Sequence, residues 1–243
     1  GTAWGIAAAI AIFLATKLKL VAFLASVLKL KTVATMLLSV GAYALEWGLP
    51  FAVGFVLLIF VHEAAHAVAL RQEGIPAGAP VFIPFVGAFV AMKGRPRDAA
   101  VEARVALAGP LVGSLAAWAV LAVGSALDHA LLTALGRTGV LLNLFNLVPV
   151  SPLDGGRIAG VFTRPVWIAG YGVGVLALLV TRSPLLLVVM LVGLWTLVRR
   201  WRAPDPAYHA VPPAQRRTMA LAYAGLVIAL VGTLTLSPLP HEP

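Results

Sequence analysis

His62, Glu63 and His66 fall in the run His62-Glu63-Ala64-Ala65-His66, inside an apolar stretch from Leu49 to Leu70. On a helix, residues four apart project from one face, so both imidazoles can reach one metal ion while Glu63 lies beside the first of them. Ionisable side chains are expensive in a stretch long enough to cross a bilayer, at about 2.5–3.5 kcal/mol for one central charge on insertion scales. A membrane segment keeps such residues where a site needs them. The pattern reads as a zinc-hydrolase centre set below the membrane surface.

A catalytic zinc takes three protein ligands and leaves one position open. The chain has no Cys, so the third ligand must be His, Asp, Glu or backbone oxygen. Glu46, Asp98, Glu102, Asp128, His129, Asp205, His209, His241 and Glu242 lie at outer ends, beside basic loops, or in polar connections and the tail. Asp154 differs. It sits in NLVPVSPLDGG (146–156), an apolar, Pro-broken segment that runs in the same direction as the motif helix and ends at Arg157, so its depth matches that of the His pair. A turn aspartate before Gly155-Gly156 is the blander reading, and both stay open at this level. With zinc lowering the pKa of its bound water toward ~7 and polarising the scissile carbonyl, Glu63 would carry the water proton to the leaving amine. The Asn146 amide could hold a substrate backbone or an oxyanion. An interhelical hydrogen bond would equally explain a membrane Asn, and Asn143 competes for the role.

These residues need a membrane scaffold, and composition supplies one. Of 243 residues, 61% are hydrophobic and only 11% charged, where a soluble domain carries roughly a quarter. The expected fold is an all-α polytopic bundle of about six to eight transmembrane helices with a short re-entrant β-hairpin after the motif helix. We read one domain, 1–243, with a catalytic core at about 49–160, N-terminal helices in 1–47 and C-terminal helices in 165–236. The spans read as Val33–Trp47, Leu49–Leu70, Ala99–Ala126, a helix from Val140 that must break near Pro149 and Pro152, Val166–Val180, Leu185–Val198 and Met219–Leu236. Ala3–Thr16 is short for a span, and the basic-flanked segment from Lys17 to Lys31 either lies at the interface or extends a first span. Ala79–Met92 carries Pro80, Pro84 and Gly87 among aromatic and β-branched residues. It reads as a hairpin turning near Pro84–Gly87, with an apolar loop as the alternative.

The net charge of +9 does not point to nucleic acid. Its cations gather in short connections: Arg71, Lys93, Arg95, Arg97 and Arg104; Arg157 and Arg164; Arg199, Arg200, Arg202, Arg216 and Arg217. One orientation places all of them on the cytoplasmic side, facing anionic lipid. The active site then lies toward the cytoplasm in a bacterial or archaeal cell membrane.

At these residues the chain resembles the site-2 protease family of intramembrane zinc metalloproteases. The resemblance rests on HEAAH in a span, the downstream NLVPVSPLDGG, and the VFIPFVGAF hairpin ahead of the ALAGPLVG helix, together about Leu49 to Ile158. It implies that His62, His66 and Asp154 bind one Zn2+, that Glu63 is the catalytic acid/base, that Asn146 contacts substrate, and that the hairpin edge presents an extended peptide. It implies as substrate a membrane-tethered protein, either a single-span regulator or a remnant signal peptide. The chain looks like the compact, core-only members, without PDZ or CBS domains. A metal-handling transporter using the same ligands would tend to show paired repeats and several polar sites, and a silent scaffold of the same fold a lost ligand or Glu. Neither pattern is present.

Overall fold

The computed structural model describes residues 30–162, 164–202 and 205–236. The expected segments Ala3–Thr16 and most of Lys17–Lys31 lie outside the described residues. The order is α1 (Leu30–Trp47), α2 (Leu49–Gln72), β1 (Ala77–Ile83), β2 (Gly87–Met92), α3 (Ala99–Ala126), α4 (Ala130–Asn146), α5 (Asp154–Ile158), a 3-10 turn (Ala159–Val161), α6 (Arg164–Thr181), α7 (Pro184–Arg202) and α8 (Pro213–Leu236).

Three of these helices, α2, α3 and α8, are long and apolar enough to cross a membrane, and Pro165–Thr181 and Pro184–Arg199 are shorter apolar helices. Exposed Leu and Val residues line the outer faces of α1, α6, α7 and α8. Such surface is stable against lipid and would be a liability in water. The protein is an integral membrane protein.

Helix ends follow local chemistry. Pro50 opens α2, where a missing N–H costs nothing. The helix closes in a Schellman turn. Gly74 adopts φ 72°, its N–H donates to Arg71 O, the Ile75 N–H donates to Leu70 O, and Leu70 and Ile75 share one apolar cluster. Asp98 caps α3, its carboxylate accepting the Val101 N–H at 2.8 Å. The α4 helix begins ten residues before the expected start at Val140, with His129 as its cap.

α3 is the spine, packed against α2, α4, α5 and α8. One core joins α3, α4, α5 and α8 through Ala103, Ala106, Val140, Leu147, Ile158 and Leu230. A second joins α1, α2, β1 and α4. The loop before α3 and the loop before α8 meet, with Arg95 paired to Asp205 at 2.8 Å and the Ala99 N–H donating to Tyr208 O. The basic connections on either side of this contact therefore share one end of the bundle.

The hairpin forms with its turn where expected. β1 and β2 are antiparallel, with Pro80 opposite Val90 and Phe82 opposite Ala88. Its β1 edge is covered by hydroxyls of α1. Thr32 donates to Pro80 O at 2.8 Å, the Phe82 N–H donates to Thr35 Oγ1 at 3.3 Å, and the Phe85 N–H donates to Tyr43 Oη at 3.0 Å. Ser39 lies on the same face, 1% exposed, and its hydroxyl has no partner among the described residues.

This contrast sets a test of what holds the hairpin. Thr32→Val keeps side-chain shape but leaves the buried Pro80 carbonyl without a donor, so it should cost about 1–3 kcal/mol. Ser39→Ala removes a hydroxyl that bonds to nothing described and should be neutral or slightly stabilising. Thermal unfolding in detergent compares the two, and equal effects would remove the hydroxyl contacts as the cause.

Candidate metal and catalytic site

The HEAAH turn lies in the second half of α2, where His62, Glu63 and His66 are only 3%, 6% and 6% exposed. Each imidazole is held at its Nδ1. His66 Nδ1 lies 2.8 Å from Val105 O, and a carbonyl can only accept, so this nitrogen carries the proton. His62 Nδ1 lies 2.8 Å from Asn143 Oδ1. The orientation of that amide follows from its other end, because Asn143 Nδ2 donates to Gly139 O at 2.8 Å. Both rings therefore carry their proton on Nδ1, and both Nε2 atoms present a lone pair.

Asp154 completes the arrangement from a distant stretch of chain. Its Oδ2 lies 3.1 Å from His62 Nε2 and 3.2 Å from His66 Nε2, and those two nitrogens are 3.1 Å apart. The local fold explains its reach. After α4 the chain loops through Pro149 and Pro152 and doubles back into α5. A Cβ on Gly155 would lie 2.2 Å from Leu147 O, and one on Gly156 would lie 2.2 Å from Ser151 N. Only glycine lets the turn close this tightly behind Asp154.

The donor chemistry fits a cation. Three electron-pair donors form a triangle with edges of 3.1–3.2 Å. A tetrahedral ion with bonds of ~2.0–2.1 Å spaces its donors by about 3.3 Å. Glu63 is looser: one donor atom from each of His62, Glu63 and His66 lies within 4.8 Å of the others. Glu63 and the triangle line a cavity of about 530 Å³, bounded also by β2, Tyr43, Phe55 and the α7 residues Val188 and Val192.

The remaining sequence candidates separate cleanly. Asn146 lines the cavity, but its Nδ2 donates one turn back to Leu142 O at 3.1 Å. Asn143, named in sequence only as a competitor, is the amide that touches a histidine. Arg157 was read as a topology residue, yet it lines the cavity with its Nη1 3.8 Å from Asp154 Oδ1 and its Nε 3.5 Å from Glu102 Oε1. Glu102 also accepts the Tyr208 hydroxyl at 2.6 Å. Asp205 pairs with Arg95, and His209 Nδ1 donates to Gly160 O, so neither reaches the triangle.

Comparison with known proteins points the same way. Residues 50–129 match the family model of Peptidase family M50. A zinc metalloprotease of Methanocaldococcus jannaschii is 30% identical over 126 residues, covering 50% of this chain and 36% of the relative. The chain spans about a third to a half of the length of the curated relatives it matches. Among solved structures, the site-2 protease from Methanocaldococcus jannaschii aligns with a TM-score of 0.43 at 22% identity, covering 73% of this chain and 87% of that one.

The first glycine of the ALAGPLVG segment does more than let helices pack. A Cβ on Gly109 would lie 2.2 Å from His66 Nε2 and 2.8 Å from His62 Nε2. Gly109→Ala should therefore push both rings off the triangle and lower the metal retained per chain after dialysis severalfold. Undiminished metal content would mean that the rings do not sit against α3.

Proposed function

We propose that the chain is an intramembrane zinc metalloprotease of the site-2 protease type, acting as one membrane-embedded unit on peptide bonds in or near the membrane segments of tethered proteins. The observation that carries this reading is the triangle of unprotonated donors at one wall of an apolar cavity, with a carboxylate beside it. His62, His66 and Asp154 would hold one zinc, and the zinc names of the matched relatives support the choice of ion. When bound, the ion supplies Lewis acidity to water and to the attacked carbonyl.

The chain's own residues supply the rest. Glu63 takes the proton of the attacking water and passes it to the leaving nitrogen, since it faces the cavity beside the donor triangle. Aromatic rings of Tyr43, Phe55 and Phe85 shield the cavity, which strengthens each polar interaction inside it. Asn146 is free to exchange its bond to Leu142 O for a substrate carbonyl.

Substrate presentation follows from the register of the hairpin. Pro80 has no N–H, and its carbonyl faces α1, so it belongs to the set of residues whose backbone points away from β2. Phe82 belongs to the same set. Their partners Val90 and Ala88 must then point their N–H and C=O groups away from β1, into the cavity. An unwound stretch of substrate can add there as a third strand. A single-span regulator or a remnant signal peptide, entering from the lipid with the scissile bond near the cytoplasmic face, suits this geometry and the clustering of basic connections at that end.

Two experiments test the reading. Glu63→Gln should abolish cleavage of a tethered single-span substrate while one zinc stays bound, and Asp154→Ala should lose zinc and activity together. Retained peptidase activity in Glu63→Gln would sink the mechanism. Val90→Pro removes an outward N–H that no hairpin bond uses, so it should raise KM with the hairpin intact. Phe89→Pro, which removes an inward N–H, should disrupt the hairpin. Indistinguishable effects of the two substitutions would rule out strand addition at this edge.

A further inference from the structure

His66 and His62 are oriented by different means. The acceptor for His66 is a main-chain carbonyl, Val105 O, which no substitution removes. The acceptor for His62 is a side chain on another helix. Asn143 is 2% exposed, deep between α2, α3 and α4, and both ends of its amide are engaged: Nδ2 on Gly139 O and Oδ1 on His62 Nδ1, each at 2.8 Å.

Space for this amide comes from α3. A Cβ on Gly113 would lie 2.4 Å from Asn143 Oδ1 and 3.0 Å from its Nδ2. Gly113 follows Gly109 by one turn, so one glycine clears the imidazoles and the next clears the group that steers one of them. An imidazole without a fixed acceptor can adopt either tautomer and either ring orientation, and in most of these arrangements no lone pair faces the triangle. The amide is also uncharged, so it adds no further negative charge near Glu63 and Asp154.

We infer that Asn143, seated against Gly113, is the positioning residue that fixes the tautomer and ring orientation of His62. The inference rests on the reading of His62 as a metal ligand, and it assigns Asn143 no contact with substrate. Groups in this relation to a metal ligand typically change metal affinity about 10–100-fold when removed.

The test uses the full chain in detergent and measures zinc stoichiometry and affinity by competition with a chromophoric chelator. Asn143→Leu keeps the volume and loses the acceptor, so zinc should bind about 10–100-fold more weakly. Asn143→Asp keeps the acceptor for His62 but loses the donor to Gly139 O and adds a buried charge, so its affinity should fall between those of Asn143→Leu and wild type. Gly113→Ala displaces the amide from the other helix and should weaken binding, and the double variant with Asn143→Leu should be no weaker than Asn143→Leu alone, because both changes remove one interaction. Wild type binding one zinc while Asn143→Leu binds as tightly overturns the inference and leaves the proposed function standing. Equal losses in Asn143→Leu and Asn143→Asp would reduce the residue to packing and also overturn it. Wild type that takes up no zinc overturns the metal reading and the inference together. If Asn143→Leu does not fold by helical circular dichroism, Gly113→Ala decides: wild-type affinity there overturns the inference.

Discussion

Two imidazole nitrogens and a carboxylate oxygen cannot share a triangle about 3 Å on a side, in an apolar interior, without a positive charge among them. Most of the local architecture answers to that constraint. Each Nδ1 is tied to an acceptor, which leaves both Nε2 atoms as lone pairs. α3 supplies the carbonyl for one ring and is stripped to glycine where the rings press against it. The loop after α4 folds back on itself so that Asp154, ninety residues along the chain, arrives at the same depth. Each of these features would be an unfavourable choice for packing alone.

The second constraint concerns sheet edges. A two-stranded hairpin leaves two rows of unpaired backbone groups, and neither can face lipid. Here one row is closed by a helix rather than a strand. Thr32, Thr35 and Tyr43 recur along one face of α1 and meet the outward groups of β1 and the turn. The other row opens on the cavity. Closing one edge with side chains leaves the β2 edge as the open edge among the described residues, and that edge borders the same cavity as the donor triangle. The tip is held as firmly as the edge: the Phe85 ring lies edge-on to Tyr43, 5.1 Å between centroids.

The sequence reached the parts that local chemistry dictates. The motif helix, the hairpin turn and the Ala99–Ala126 helix could be read from spacing and composition, whereas depth alone left Asp154 open between a ligand and a turn aspartate and the family resemblance favoured the ligand. The start of α4 could not. Gly136, Arg137, Thr138 and Gly139 precede the expected start at Val140, yet they lie inside the helix, because the glycines let its backbone approach α3 closely. A Cβ on Gly136 would lie 2.5 Å from Leu121 N, so tertiary contact overrides propensity there. The cost of missing that half-helix was its phase. Counted from Ala130, Gly136, Gly139, Val140 and Asn143 share one buried face, and Asn146 falls off it. Counted from Val140, the two asparagines could not be told apart.

Charge gives an independent route to the same ion. At the basic end of the cavity, surface pairs such as Glu73 with Arg104 at 2.8 Å are self-contained; the Arg104 hydrogen bond holds the Glu73 carboxyl below its usual range and contributes little to stability at this exposure. The groups nearer the triangle do not cancel. Glu63 and Asp154 are the two carboxylates among the described lining residues and Arg157 is the single Lys or Arg, and Glu102, outside the lining, takes Arg157 Nε at 3.5 Å. Arg157 donates to Glu102, while its Nη1 stays 3.8 Å from Asp154 Oδ1, beyond hydrogen-bond reach. Asp154 is thus left without a close Lys or Arg in a buried setting, and uncompensated buried charge is not tolerated. A cation among the three converging donors supplies the missing positive charge.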